Sequence, residues 1–529
     1  MNSQNRSITN SATPGVRLSE LMGALSIATD LGMGQSVESA LASCVLAVRL
    51  AEKLHLGADD LRDVYYQALL RYIGCNAETH TLASIVGDEL AMRHDFAAID
   101  TARTNEVLAL VLRYIRQANE GSSPLYMARM IARGMLGMRE VRESFGAHCE
   151  VAQRLALRLG FGNSIVRALG QLYERWDGKG LPNGLKGHDV VPAVLVVTLA
   201  QDALTFYRLG GIDAAISVAR ERSGGAYEPG MADCFCKHAE ELFAEVEGEP
   251  TWDTVIALEP NAGEADYLTG EQLDAAYRAM ADFADLKSSY TLNHSPRVAD
   301  LAAEAARRYS LPESDVVNVH RAAMLHDIGR VGVSVAIWDK PGPLTEREWE
   351  RVRLHTYYTE RILARPATLA QIGAIAALNH ERLDGSGYHR GISGSMLSPT
   401  ARIMAAADSY QAMTELRPHR PALQPEQAAA ELKAMVHKGK LDGDIVSCVL
   451  AAAGHEVRAP KRAKVGGLTD REVEVLRLIA RGRSIREIAA DLTISPKTAD
   501  RHIQNIYSRI GVSTRAGATL FATEHDLLR

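Results

Sequence analysis

One stretch of this chain occurs twice, and a chain built that way is constrained to fold as two related halves. The copies are anchored at Glu174-Arg175-Trp176-Asp177-Gly178-Lys179-Gly180 and Glu381-Arg382-Leu383-Asp384-Gly385-Ser386-Gly387. His148 and His355 each lie 26 residues upstream of the anchoring Glu. Further back, Leu70-Arg71-Tyr72-Ile73-Gly74 matches Leu325-His326-Asp327-Ile328-Gly329. A His-Asp pair can ligate a metal ion and an Arg-Tyr pair cannot, so the second half is the expected working site.

Apolar residues in both halves recur at helical spacing, as in Val298, Leu301, Ala302, Ala305 and Ala306. Val45, Val48, Leu50 and Leu54 follow the rule less cleanly, and no strand alternation persists. An all-α fold is expected. The first half spans 15–246 and the second 265–455. A connection rich in Pro, Gly and acidic residues, about Gly248 to Glu264, separates them. A basic linker covers 456–467, and a last unit covers 468–529. The first half holds an insertion: Gly74 to His148 covers 74 residues against 26 from Gly329 to His355, which predicts extra helices. Met1 to Thr13 is polar, without a signal-peptide core, and no apolar run is long enough for a membrane span, so a cytoplasmic location and no membrane partner are expected. The six cysteines are scattered, which argues against a zinc ribbon or a disulfide framework.

Six residues of the second half have metal-ligand chemistry: His294, His326, Asp327, His355, His380 and Asp408. Neutral imidazole with carboxylate suits one or two divalent ions of the iron, manganese or zinc kind. Two such ions could clamp a phosphoryl oxygen and stabilise the leaving oxygen.

The segment from Leu268 to His455 closely resembles the HD-GYP branch of the HD phosphohydrolase superfamily. The resemblance rests on Asn293-His294-Ser295, His326-Asp327-Ile328-Gly329-Arg330, Lys340-Pro341-Gly342, His355, the run Asn379 to Gly391, and Ala407-Asp408. It implies an all-helical, metal-dependent phosphodiesterase acting on a cyclic dinucleotide. His326, Asp327 and Arg330 would be the catalytic centre, and Arg330, Lys340 and Arg390 would contact substrate phosphates. Glu381 and Asp384 would orient the loop. Three positions depart from the family pattern. Asn379 replaces an imidazole by a weaker amide donor. His389 replaces the Pro of the Gly-Tyr-Pro triplet, which loosens that loop. Tyr290 stands where some members carry an additional Glu.

Carrying the ligand positions back through the repeat gives Ser39, Arg71, Tyr72, His148, Tyr173 and Asp202. Only His148 and Asp202 keep their residue type, so the first half should not cut phosphodiesters. It is then either a packing partner or a sensor pocket.

The C-terminal unit is basic. Between Arg458 and Arg515 there are 13 Lys/Arg against 6 Asp/Glu, within a chain of net charge −6. Thr469 and Glu472 form a capping box ahead of a helix faced by Val473, Leu476, Ile479 and Ala480. A second helix runs from Ser484 to Leu492, with Ile485, Ile488, Ala489 and Leu492 inward. Ser495-Pro496 starts a third helix. Its outer face carries Lys497, Thr498, Arg501, His502 and Asn505, as a helix that reads a major groove should. Leu468 to Leu528 resembles the four-helix LuxR-type helix-turn-helix domain, through Leu468 to Glu472, Ile485 to Ala489, Ile494 to Thr498 and Gly511 to Arg515. That implies double-stranded DNA as partner, bound as a homodimer. The expected architecture is two tandem HD-type helical bundles followed by a small LuxR-type domain. Two whole-chain readings stand: a transcription regulator that hydrolyses a cyclic dinucleotide, or a non-catalytic ligand-sensing scaffold that controls DNA binding.

Overall fold

A computed structural model describes residues 15–77, 79–120, 123, 125–126, 129–131, 138–248, 251–260, 267–457, 468–525 and 527–528. The polar N-terminus, most of the basic linker and parts of the connection between the halves lie outside the described residues. The chain divides into two compact units between His455 and Glu456. Described strand is confined to β1 (Val16–Arg17) and β2 (Tyr267–Leu268), which pair antiparallel and join the starts of the two halves. Everything else regular is helical. Among the described residues no helix is long and apolar enough to cross a membrane, and all six cysteines are free thiols.

The first half comprises α1 (Leu18–Gly32), α2 (Ser39–Lys53), α3 (Ala58–Leu70), α4 (Thr79–Val86), α5 (Glu89–Phe96), α6 (Thr104–Ala118), α7 (Met138–Arg158), α8 (Asn163–Leu169), α9 (Pro192–Glu221), α10 (Pro229–Gly248) and α11 (Thr251–Ala257). The second comprises α12 (Gly270–Asp285), α13 (His294–Arg308), α14 (Glu313–Leu325), the short α15 (Val335–Trp338), α16 (Glu346–Leu363), α17 (Ala370–Ala376), α18 (Pro399–Thr414), α19 (Pro425–His437) and α20 (Gly443–Ala452). The insertion supplies α4 to α6 with a small core of their own around Met92, Val111 and Ile115.

The repeat is visible atom by atom. Helices α2 and α13 are both 15 residues long, and α3 and α14 both 13. Each of α2 and α13 is entered through a left-handed residue, Glu38 at φ 70° and Asn293 at φ 63°. A buried carboxylate then accepts from the second backbone N–H of the helix: Asp30 from Ala40 at 3.1 Å, and Asp285 from Ser295 at 3.0 Å. This satisfies a helix-start donor that would otherwise be stranded in the core. The buried Glu174 accepts from Asn183 and Leu185 N–H, as Glu381 does from Arg390 and Gly391. Each Glu thereby closes the loop behind its anchor motif.

The same comparison corrects one sequence expectation. Pro192 and Pro399 open α9 and α18, and the ninth residues beyond them are Gln201 and Asp408. Gln201, not Asp202, is therefore the counterpart of Asp408. Asp202 lies one position further round the helix, paired with Arg222 at 2.7 Å. Of the carried-back set, His148 alone keeps its type.

The second unit holds α21 (Asp470–Ala480), α22 (Ile485–Asp491), α23 (Pro496–Ile510) and α24 (Arg515–Glu524). Leu468, Leu476, Ile479, Ile488, Ala499, Ile503 and Ile506 form its core. Capping boxes at Thr469/Glu472 and Ser484/Glu487 start α21 and α22. Gly511, at φ 69°, ends α23 in the left-handed conformation. Ile485 departs from expectation: it is 39% exposed, because it is the first residue of a seven-residue helix and no preceding turn covers it.

Candidate metal centre and outer helix

The six nominated ligands meet in one place, five of them buried and His380 at the rim with its side chain 24% exposed. His294 starts α13, His326 and Asp327 follow the last residue of α14, His355 lies within α16, and Asp408 within α18. His380 precedes Glu381 on the loop after α17. The donor atoms of His294, His326 and Asp327 lie within 4.8 Å of one another. Asp408 Oδ1 is 3.3 Å from His294 Nε2 and 3.7 Å from His326 Nε2, and its Oδ2 is 3.9 Å from His380 Nε2. His355 Nε2 is 3.9 Å from Asp327 Oδ1.

Backbone carbonyls set which nitrogen faces inward. His326 Nδ1 donates to Ala323 O at 2.7 Å, and His355 Nδ1 to Val352 O at 2.5 Å. A carbonyl can only accept, so each ring presents Nε2 to the centre. Those two Nε2 atoms, with Asn379 Oδ1, are buried without a hydrogen-bond partner. Such orphans are costly in an interior, and three of them beside two carboxylates fit a divalent cation. Asn379 Nδ2 lies 3.4 Å from Asp408 Oδ2, so its Oδ1 is the atom left over.

Electrostatics agree with that fit. Burial would raise Asp327, but His326, Arg330, His294 and His355 outweigh it and hold the carboxyl well below its ordinary range. Asp408 is likewise held low, against burial, by His294 and His326. Burial works against charge on His294, yet hydrogen bonds to Asp408 and Glu415 push it up to about 10. Burial lowers His355 to about 4, keeping it neutral. The site therefore draws positive charge to its own carboxylates, as a cation would supply.

One side chain at the site, Glu415, was missed by sequence reasoning. Glu415 Oε2 accepts from His294 Nδ1 at 2.8 Å and from Arg417 Nη2 at 3.0 Å. This orients His294 as a carboxylate behind a metal-binding imidazole does. No motif marks Glu415; the available signal was its place seven residues beyond Asp408, at the residue that ends α18 in extended conformation.

The nominated cations behave differently from one another. Arg330 donates to Asp327 Oδ2 at 3.0 Å, with its Cζ 3.9 Å from the centroid of Trp338. It belongs to the centre. Lys340 is held by Glu348 at 2.7 Å, and Arg390 is paired with Glu360. Neither is brought to the cluster by a described contact. The loop expected to be loosened by His389 is tied instead: His389 Nδ1 lies 3.1 Å from Thr356 Oγ1, and Nε2 lies 2.7 Å from Glu360 Oε2. Asp384 accepts from Ser386, an exposed loop contact.

In the second unit, Lys497, Thr498, Arg501 and Asn505 are exposed on one face of α23 and His502 is half-buried. Thr498 is bound up in the helix cap, its N–H donating to Ser495 Oγ. Beneath them Arg509 pairs with the capping Glu472 at 2.6 Å, clamping α23 to α21.

Residues 278–445 match the HD domain family, and residues 467–522 match the bacterial regulatory proteins of the luxR family. The chain is 30% identical over 426 residues to the 3'3'-cGAMP-specific phosphodiesterase 3 of Vibrio cholerae, covering 79% of this chain and 91% of that one. It is 37% identical over 164 residues to a cyclic di-GMP phosphodiesterase of Thermotoga maritima, covering 31% of this chain and 43% of the other. Among solved structures, that of a cyclic GMP-AMP specific phosphodiesterase of V. cholerae superposes with a TM-score of 0.58 at 27% identity, over 84% of this chain and 99% of that one.

Proposed function

Given that the chain belongs to the HD-GYP family of cyclic-dinucleotide phosphodiesterases and carries a LuxR-type DNA-binding domain, we propose that it is a DNA-binding regulator whose second half hydrolyses a cyclic dinucleotide. The observation that carries this reading is the convergence of the unpartnered His326 and His355 Nε2 atoms on two ionised aspartates. His294, His326, Asp327, His355, His380 and Asp408 would hold the divalent ions, with Asn379 offering an amide oxygen. When bound, such ions supply the electrophilic charge and lowered water pKa that phosphodiester hydrolysis uses.

The chain's own residues do the rest. Glu415 fixes the His294 ring, and the Ala323 and Val352 carbonyls fix His326 and His355, so the donors need little reorganisation. Arg330, steadied between Asp327 and the Trp338 face, is the cation placed to receive a phosphoryl oxygen. Lys340 and Arg390 would first have to leave Glu348 and Glu360. In the second unit, Lys497, Arg501, His502, Asn505 and Thr498 would face DNA, with two chains on a two-fold-related site.

The Asn379 departure favours a second reading, a metal-binding sensor with negligible turnover. Metal analysis of the purified chain with a hydrolysis screen on cyclic GMP-AMP and cyclic di-GMP separates the two. Metal bound and substrate cleaved supports the enzyme, whereas metal bound without cleavage in added manganese or iron leaves the sensor.

A further inference from the structure

The first half has inverted the charge of the site it inherited. Through the repeat, Asp327 corresponds to Tyr72 and Asp408 to Gln201, and His326 becomes Arg71. The inversion extends to the residue behind the site. Arg208 stands sixteen residues after Pro192, as Glu415 stands after Pro399. Glu415 bonds His294, and Arg208 Nη1 bonds the matching Ser39 Oγ at 2.5 Å. Three carboxylates have become a phenol, an amide and a guanidinium, and a second guanidinium has been added.

Arg71 is 8% exposed, and its Nε and Nη1 are buried without any hydrogen-bond partner. A buried structural arginine is normally matched by a carboxylate, because an unmatched one is strongly destabilising. The adjacent carboxylate, Asp202, is already taken by Arg222 and the Tyr227 hydroxyl. Two phenols lie close by: Tyr173 OH, 3.5 Å from His148 Nδ1, can serve an anion, and Tyr72 OH, which donates to Gln201 Oε1 at 3.0 Å, can do so by leaving that acceptor. Burial keeps both phenols protonated. Arg208, though not Arg71, also lines a cavity of about 680 Å³ between α9 and the inserted helices α5 and α6, with Ser36, Ile99, Leu110, Thr205 and Leu209 in its wall. That volume is of ligand size. Its carboxylates Asp95 and Glu106 are paired with Arg113 and Arg103, and Asp30, the carboxyl whose charge bears on Arg208, is pushed up to about 8 by burial, so none of the three cancels Arg208.

We propose that the first half is a non-hydrolysing binding site for a phosphate-bearing anion, held by Arg71 and Arg208 where the second half holds cations. This does not depend on whether the second half is catalytic. Inorganic phosphate and the phosphodiester of a cyclic dinucleotide share the recognised chemistry.

The test uses the full chain, with His326→Ala and Asp327→Ala silencing the second half and chelator present. Inorganic phosphate and cyclic GMP-AMP are titrated by calorimetry. Both should bind, and Arg71→Met and Arg208→Gln should each weaken binding by about tenfold or more. A cyclic dinucleotide that binds well above phosphate marks a nucleotide site; equal affinities mark the phosphate group itself as the ligand. Without ligand, Arg71→Met should melt at or above the parent, since it removes an unmatched buried charge. Should Arg71→Met fail to fold, Arg208→Gln alone decides. Absence of saturable binding by either probe, or parental affinity in the folded variants, overturns the proposal.

Discussion

Glu89, from the inserted helix α5, and Lys287, just beyond α12, form an ion pair at 2.8 Å in which neither side chain is more than 2% exposed. Glu89 also accepts from Ser334 Oγ at 2.6 Å and Val335 N–H at 2.9 Å. Val335 begins the short α15, whose Trp338 carries Arg330. The insertion in the first half is thus fastened to the segment that carries Arg330 to the candidate metal centre.

Replacing one partner of such a pair strands the other. Glu89→Gln should cost about 3–5 kcal/mol in urea unfolding, whereas Glu89→Leu with Lys287→Met should cost much less. Equal losses would show that the pair matters only as packing. The pH dependence has a defined sign. Burial opposes ionisation of Glu89, but Lys287 and its hydrogen bonds hold its pKa below the ordinary 4.5. Its contribution is present above that value and fades as pH falls through the lowered one. Glu89→Gln should flatten this acid limb.

His326→Ala or Asp327→Ala should abolish metal retention while leaving DNA binding by the second unit measurable. Elemental analysis reads the first and a gel shift the second. Metal content equal to wild type would refute the ligand assignment.

Glu415→Gln should weaken metal affinity by roughly 10–100-fold, as loss of a carboxylate behind a ligating imidazole does. Asn379→His should act in the opposite sense, strengthening retention by converting an amide into an imidazole donor. A competition assay with a metallochromic chelator measures both, and movement of either in the unexpected direction removes that residue from the site.

Arg501→Ala should lower DNA affinity and reduce the salt slope by about one. An unaltered slope would mean that Arg501 faces away from the phosphate backbone.

The periodicity of apolar residues made the helical halves legible, and the chemistry of six side chains made the second-half cluster legible. What escaped was contact between residues that no motif links. Glu415 reaches His294 across more than a hundred residues, and Glu89 reaches Lys287 from an insertion with no counterpart. The register error at Asp202 arose because an aspartate one position away satisfied a type match; the Pro-led helices place Gln201 there instead. The loop at His389 read as loosened because proline's constraint was missing, whereas two side-chain hydrogen bonds restore it.

Gly74 and Gly329 have a reach beyond their own halves. A Cβ on either would lie only 2.0 and 2.1 Å from the carbonyl oxygens of His148 and His355. No side chain fits, whatever the chemistry around it. Saturation mutagenesis should therefore find both glycines equally intolerant, although one borders a candidate reaction centre and the other does not. Sequence divergence between the halves has been free to rewrite the donors but not the crossing of the two backbones. An alanine at Gly329 would evict His355 from the centre without touching a single ligand atom.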